Sequence, residues 1–127
     1  MSMSLRIIDY QKAVDALTLG IEQASNDLDR DGVIQRFEFV IELSWKVLQK
    51  VLLERKITAY SPRNTYREAF KEGLIEDPEK WLEYWDVRNL TVHTYREQLA
   101  QEIFEQIPQF LELATQLAQV LEKISHE

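Results

Sequence analysis

The sequence is poor in several things, and each scarcity narrows what the protein can be. It has no cysteine, so a disulfide framework, a thiolate metal site and a cysteine nucleophile are all excluded. Its three glycines, Gly20, Gly32 and Gly73, are isolated and cannot build a Walker loop or a dinucleotide-binding turn. His93 and His126 are the only histidines, so a histidine-based metal centre is not expected, nor is any cofactor. Positive charge is also short. Fifteen Lys and Arg face 22 Asp and Glu, for a net charge of -7, the opposite of the basic footprint of a protein that grips nucleic acid mainly through phosphates. Any RNA contact must be local. No apolar run approaches the ~20 residues that span a bilayer, and Met1-Ser2-Met3-Ser4-Leu5-Arg6 lacks the basic-then-apolar layout of a signal peptide. A soluble, cytoplasmic protein without membrane association is expected.

What is present is helix-forming and amphipathic. The 127 residues suit one domain, 1–127. No linker, repeat or low-complexity tract divides them. Five helical segments are predicted. The first runs from about Leu5 to Leu28, with Ile7, Tyr10, Val14, Leu17, Ile21, Ala24 and Leu28 recurring at spacings of three and four. The polar turn from Asn26 to Gly32 should end it and start the second helix, about Val33 to Arg55. That second helix is apolar on most of its circumference and must be buried on more than one side. Its remaining strip, Glu38, Glu42, Lys46 and Lys50, reads as salt-bridged and solvated.

The third helix opens at Ser61-Pro62 and closes before Gly73; the fourth opens at Asp77-Pro78. The stripe Arg63, Arg67, Lys71 on the third reads as a solvated surface, with a phosphate or partner site as the alternative. The fifth runs from about Glu97 to Ile124, and Pro108 should bend or split it. Short connections favour antiparallel neighbours, so the expected fold is all-α, an up-and-down antiparallel bundle of about five helices.

The chemistry concentrates after Trp81 and Trp85, in Arg88-x4-His93-x-Tyr95. A permanent cation, the side chain type that titrates near neutrality and a phenol lie within eight residues. His93 could act as general acid or base on a ribose 2′-hydroxyl while Arg88 neutralises charge developing on the phosphate, with no metal needed. On an unbroken helix five positions rotate about 500°, so Arg88 and His93 would point roughly 140° apart. Either the helix ends near Thr91 and the chain folds back, or the two meet across a two-fold axis in a homodimer. From spacing alone, His93 reads as a capping or core histidine and Arg88 as a surface or ion-pairing arginine.

The motif Arg88-Asn89-x3-His93-x-Tyr95, behind a tryptophan-bearing helix and a second helix reading Phe37-Glu38-x3-Glu42-x2-Trp45-Lys46, resembles the nucleotidyltransferase substrate-binding proteins of the HEPN superfamily, the HepT-like partners of minimal nucleotidyltransferases. The resemblance extends over essentially the whole chain. It implies a HEPN-like five-helix bundle that forms a homodimer with its motifs facing across a cleft. It further implies a metal-independent endoribonuclease toxin in a toxin-antitoxin pair, with Arg88 and His93 catalytic and Asn89 supporting. Tyr95 would be the acceptor for AMP transferred from ATP by the nucleotidyltransferase, an AMPylation that silences the toxin. RNA or partner contacts would fall on Arg63, Arg67, Lys71 and Arg96. The chain shows no Gly-Ser and paired-aspartate signature of the transferase, so it would be the acceptor. Its acidic charge favours an alternative, a non-catalytic substrate- or nucleotide-binding subunit, and the intact Arg and His favour the enzyme. A third reading is a structural bundle with a fortuitous motif.

Overall fold

The computed structural model describes residues 3–126, and side chains from Arg6 onward. Met1 and Ser2, used above for the leader reading, lie outside the described residues. The chain folds as five α-helices and one 3-10 turn: α1 Met3–Gln23, α2 Asp27–Glu54, α3 Pro62–Lys71, α4 Pro78–Leu90, the turn Thr91–His93, and α5 Glu97–Ser125. No strand occurs among the described residues.

Local chemistry sets most of these boundaries. Ser61 accepts from the backbone N–H of Asn64 and Asp77 from that of Lys80, each ahead of a proline in the first turn, which satisfies donors a helix start leaves orphaned. The α1/α2 boundary differs from the sequence expectation. The first helix stops at Gln23, and the polar stretch from Asp27 to Gly32 belongs to α2. Asn26 is its N-cap, its side chain accepting from Asp29 N–H at 2.8 Å, while the Asp29 carboxylate reaches back to Ser25. Leu28 therefore leaves the apolar stripe of α1 and stands 80% exposed. Pro108 also behaves differently: α5 is continuous through it. The residue lies on an exposed side of the helix, where water can serve the carbonyl that proline deprives of a donor.

α2 is the centre of the bundle and packs against the other four helices. This is the burial on more than one side that its composition requires, with Val33, Ile34, Phe37, Val40, Ile41, Val47, Leu48, Val51 and Leu52 all buried. Besides Leu28, two of its apolar residues, Phe39 and Leu53, remain more than half exposed. α1 runs antiparallel to α2, as the pairing of Arg36 with the Ala16 carbonyl and of Val33 with Gly20 shows. The approach is close at Gly20, where a Cβ would sit 2.9 Å from the Arg36 guanidinium and oblige that side chain to shift.

The core closes around Phe110 of α5, which meets the rings of Phe37, Trp81 and Tyr84 edge-on at 4.9, 5.7 and 5.2 Å. Tyr66 stacks on Trp81 and shares a 2.7 Å hydrogen bond with Ser44. The buried Tyr10 hydroxyl donates to the Ala114 carbonyl at 2.8 Å. α4 is thereby fixed against α2 and α5, and its last turn is held at one end of the core.

Candidate functional site

The motif sits where α4 gives way to α5. The α-helical hydrogen-bond pattern ends at Leu90, and Thr91 stops it by turning its hydroxyl onto the Arg88 carbonyl at 2.7 Å. Thr94 repeats the device on the Thr91 carbonyl at 2.9 Å, and Arg96 N–H closes onto the His93 carbonyl at 3.0 Å. Three residues of tighter 3-10 turn follow the helix, so the straight-helix geometry that separates Arg88 from His93 does not apply. The helix ends near Thr91, but the turn that follows does not fold back to bring Arg88 and His93 into contact.

Arg88 lies on the inner side of this junction. Its Nη2 is 3.1 Å from Glu42 Oε1 on α2, and its guanidinium carbon lies 5.7 Å from the Trp85 ring centroid. Glu42 also accepts from Trp45 Nε1 at 3.2 Å and faces Lys46 Nζ at 3.8 Å. Trp45 in turn meets Trp85 edge-on at 6.5 Å. One carboxylate thus gathers an arginine, an indole N–H and a lysine beside two tryptophans. This changes the reading of the α2 strip. Glu42 and Lys46 do form an i, i+4 pair, but Glu42 is partly buried and its nearer cationic partner comes from α4. Arg88 Nε is buried without a hydrogen-bond partner.

His93 and Tyr95 lie on the outer side. Both are exposed, Tyr95 to 75%, and their rings meet edge-on at 6.0 Å. Arg96 covers the Tyr95 ring at 5.8 Å. Asn89 is exposed, and so are the apolar neighbours Leu90 and Val92. His93 is therefore neither a core residue nor the side chain that caps α4, a task Thr91 performs. Among the described residues no hydrogen bond or ion pair joins Arg88 to His93 within the chain.

Behind Tyr95 the junction is clamped. Arg30 near the start of α2 is buried and grips Glu97, the first residue of α5, at 2.6 and 3.2 Å, with Asp31 completing the cluster at 3.1 Å. The Arg30 bond holds the Glu97 carboxyl below the usual carboxylate range, and the arginine's own pKa is raised by the same bond. The stripe on α3 is largely neutralised: Arg63 pairs with Asp86 of α4, and Lys71 with Glu68 at 3.2 Å. Arg67 is exposed with no carboxylate partner among the described residues. Among the described residues no three His, Cys, Asp or Glu groups converge as metal ligands, and no helix is long and apolar enough to cross a membrane.

Sequence reasoning missed the Glu42 tether and the Arg30–Glu97 clamp. The available signal for the first was an acid placed between aromatic residues on α2; the second joins residues 67 apart and had no local signature.

Fold and site together define a helical bundle with a polar, partly aromatic motif exposed at the junction of its last two helices. The chain belongs to the nucleotidyltransferase substrate binding protein like family, whose profile matches residues 5–123. It is 44% identical over 85 residues to a Haemophilus influenzae protein named "Probable ribonuclease HepT", an alignment covering 63% of this chain and 58% of that relative's length. A crystal structure from Thermus thermophilus superposes with a TM-score of 0.82 at 36% identity, covering 88% of this chain and 98% of that one. A second structure, from Haemophilus influenzae, is described as revealing the fold of a substrate binding domain of a nucleotidyltransferase. It matches with a TM-score of 0.73 at 31% identity, over 94% of this chain and 96% of the other.

Proposed function

We propose that this chain is a metal-independent endoribonuclease toxin that acts as a homodimer and is silenced by a minimal nucleotidyltransferase partner through AMPylation of Tyr95. The observation that carries the reading is the division of the motif. Arg88 is oriented on the inner side of the α4 end while His93 stands exposed on the turn that follows, beside the apolar surface of Leu90 and Val92. A second copy docking on that surface would bring the His93 of one protomer toward the Arg88 of the other. Kinship with a protein named as a ribonuclease supports the chemistry.

In this mechanism His93 accepts the proton of a ribose 2′-hydroxyl, the 2′-oxygen attacks the adjacent phosphorus, and the 5′-oxygen leaves with a proton from the second His93 or from water. The products are a 2′,3′-cyclic phosphate and a 5′-hydroxyl. Arg88 stabilises the charge that develops on the phosphoryl oxygens, and Asn89 supports it with a polar contact. In silencing, the Tyr95 oxygen attacks the α-phosphorus of ATP on the partner, the phenolic proton is lost and pyrophosphate leaves. The 75% exposure of Tyr95 suits it to enter another protein's active site. Expression of the chain alone should arrest growth, and His93→Ala should abolish the arrest; equal arrest by both forms sinks the catalytic role. Incubation with the partner and ATP should add AMP to the wild-type chain and not to Tyr95→Phe.

A second reading, a subunit that binds substrate for the nucleotidyltransferase and cleaves nothing, draws support from the Arg88–Glu42 pair, which neutralises the cation a phosphate would need, and from the net charge of -7. Under it, purified chain leaves RNA intact at every concentration.

A further inference from the structure

Beside Trp45 lies a cleft of about 410 Å³ between the start of α1, the second half of α2 and the segment leading to α3. The motif does not include it. Three cations, Arg6, Lys46 and Lys50, stand on its walls, and no Asp or Glu lines it. In a chain with seven more acids than bases this is a concentrated reversal of sign. Arg6 and Lys50 have no carboxylate within salt-bridge reach among the described residues, and Arg6 Nε is buried without a partner. Trp45, Leu53, Ile57 and Ala59 give the wall its apolar part. Gln49, also on the wall, donates to the Ala59 carbonyl at 2.7 Å and ties the segment after α2 to that helix. The cleft is therefore built by backbone-anchored elements.

Cations that lack partners, beside an indole in a concavity within the ordinary size range of small-ligand sites, call for a ligand with an anionic and a flat apolar part. We propose that this cleft binds a nucleotide unit, its phosphate on Arg6 and Lys50 and its base against Trp45. The ligand class follows from the function proposed above, and the placement adds to it: Trp45 and Lys46 line this cleft and also contact Glu42, the partner of Arg88, so a strand seated here would lie close to the motif. The shared chemistry could be supplied by a residue of single-stranded RNA or by a free nucleotide.

Binding of a fluorescein-labelled single-stranded oligoribonucleotide and of AMP would be measured on the full chain. All proteins carry His93→Ala so that RNA stays intact. Arg6→Gln/Lys50→Gln should weaken binding roughly tenfold and flatten the dependence of log affinity for RNA on log salt by about 0.7, the value for one phosphate no longer neutralised. Lys12→Gln, a charge on α1 outside the cleft, should leave both unchanged. Loss for RNA alone identifies a strand site, and loss for AMP identifies a free-nucleotide site; either supports the cleft. Undiminished binding by the double variant with its helix content intact overturns the proposal, as does failure of the parent protein to bind either probe. The two proposals fail separately. If the chain with His93 cleaves RNA and Arg6→Gln/Lys50→Gln cleaves it equally well, the cleft is wrong and the ribonuclease stands. If the cleft binds but the chain with His93 cleaves nothing, the ribonuclease reading falls alone.

Discussion

Glu42 is the side chain on which the two readings of the motif turn. It neutralises Arg88, and it also fixes that arginine against Trp85 and orients Trp45. Removing it would free the charge and lose the placement. Misplacement of a positioned group by about 1 Å can cost on the order of a hundredfold, whereas a partly exposed ion pair is worth only about 1 kcal/mol, so loss of position should dominate. On the proposed ribonuclease reading, Glu42→Ala is expected to lower kcat for oligonucleotide cleavage about tenfold or more, while Glu42→Gln, which keeps an acceptor for Arg88 and Trp45, should recover most of it. If Glu42→Ala is as active as wild type with its helix content unchanged, Glu42 does not position Arg88. The sequence made ion pairing one reading of Arg88, but its partner stands on another helix, far off along the chain. Helical spacing pairs Glu42 with Lys46 and has no means of ranking Arg88 above it. The exposure of His93 was equally illegible, because it depends on Thr91 rather than His93 ending the helix.

Helix ends divide in the same way. Ser61-Pro62, Asp77-Pro78 and Gly73 act within a few residues of themselves, and each does in the fold what its type predicts. The α1 end was misplaced because Leu28 keeps the apolar period of α1 by coincidence, while Asn26 and Asp29 already supply a start for α2. The end of α2 has no glycine, so its motif was hidden. Ile57 N–H bonds the Leu52 carbonyl and Lys56 N–H that of Leu53, the same pair of bonds that Leu74 and Gly73 make to Ala69 and Phe70 after α3. Lys56 thus adopts φ 67° where Gly73 has 74°. A side chain in this left-handed region costs about 1 kcal/mol, partly offset by glycine's larger unfolded-state entropy. Lys56→Gly should therefore stabilise the chain by roughly 0.5 kcal/mol and Gly73→Ala destabilise it by a similar amount. Urea titrations would show opposite shifts in midpoint at unchanged slope. A destabilised Lys56→Gly would mean that the lysine side chain contributes contacts exceeding its backbone strain.

For the molecule as a whole, composition and period made an all-α bundle legible, because a chain with few helix breakers and apolar stripes at spacings of three and four has little else to form. How the helices dock was not legible, since the Arg30–Glu97 clamp and the ring cluster around Phe110 join distant segments. Those contacts set how stability depends on pH. Burial pushes the Tyr10, Tyr66 and Tyr84 phenols above their ordinary range near pH ~10. A phenol raised in the fold contributes stability that is fully present below its unfolded pKa and is lost as pH rises from there toward its folded value. The carboxylates act in the opposite sense. The Arg30 bond lowers Glu97, and the Gln11 and His126 bonds lower Glu122, so their contribution is full above the ordinary carboxylate range and disappears as pH falls through and below it. The thermal midpoint should be flat between the two ranges and fall on both sides. Tyr10→Phe removes the hydroxyl that donates to Ala114 and should cost about 1 kcal/mol near neutrality, yet lose less than wild type between neutral pH and the alkaline range. An alkaline decline as steep in Tyr10→Phe as in wild type would assign the loss to the other buried phenols or to general charge repulsion in a protein already at -7. That last contribution can be separated by salt, which screens surface repulsion and leaves the cost of ionising a fully buried phenol nearly untouched.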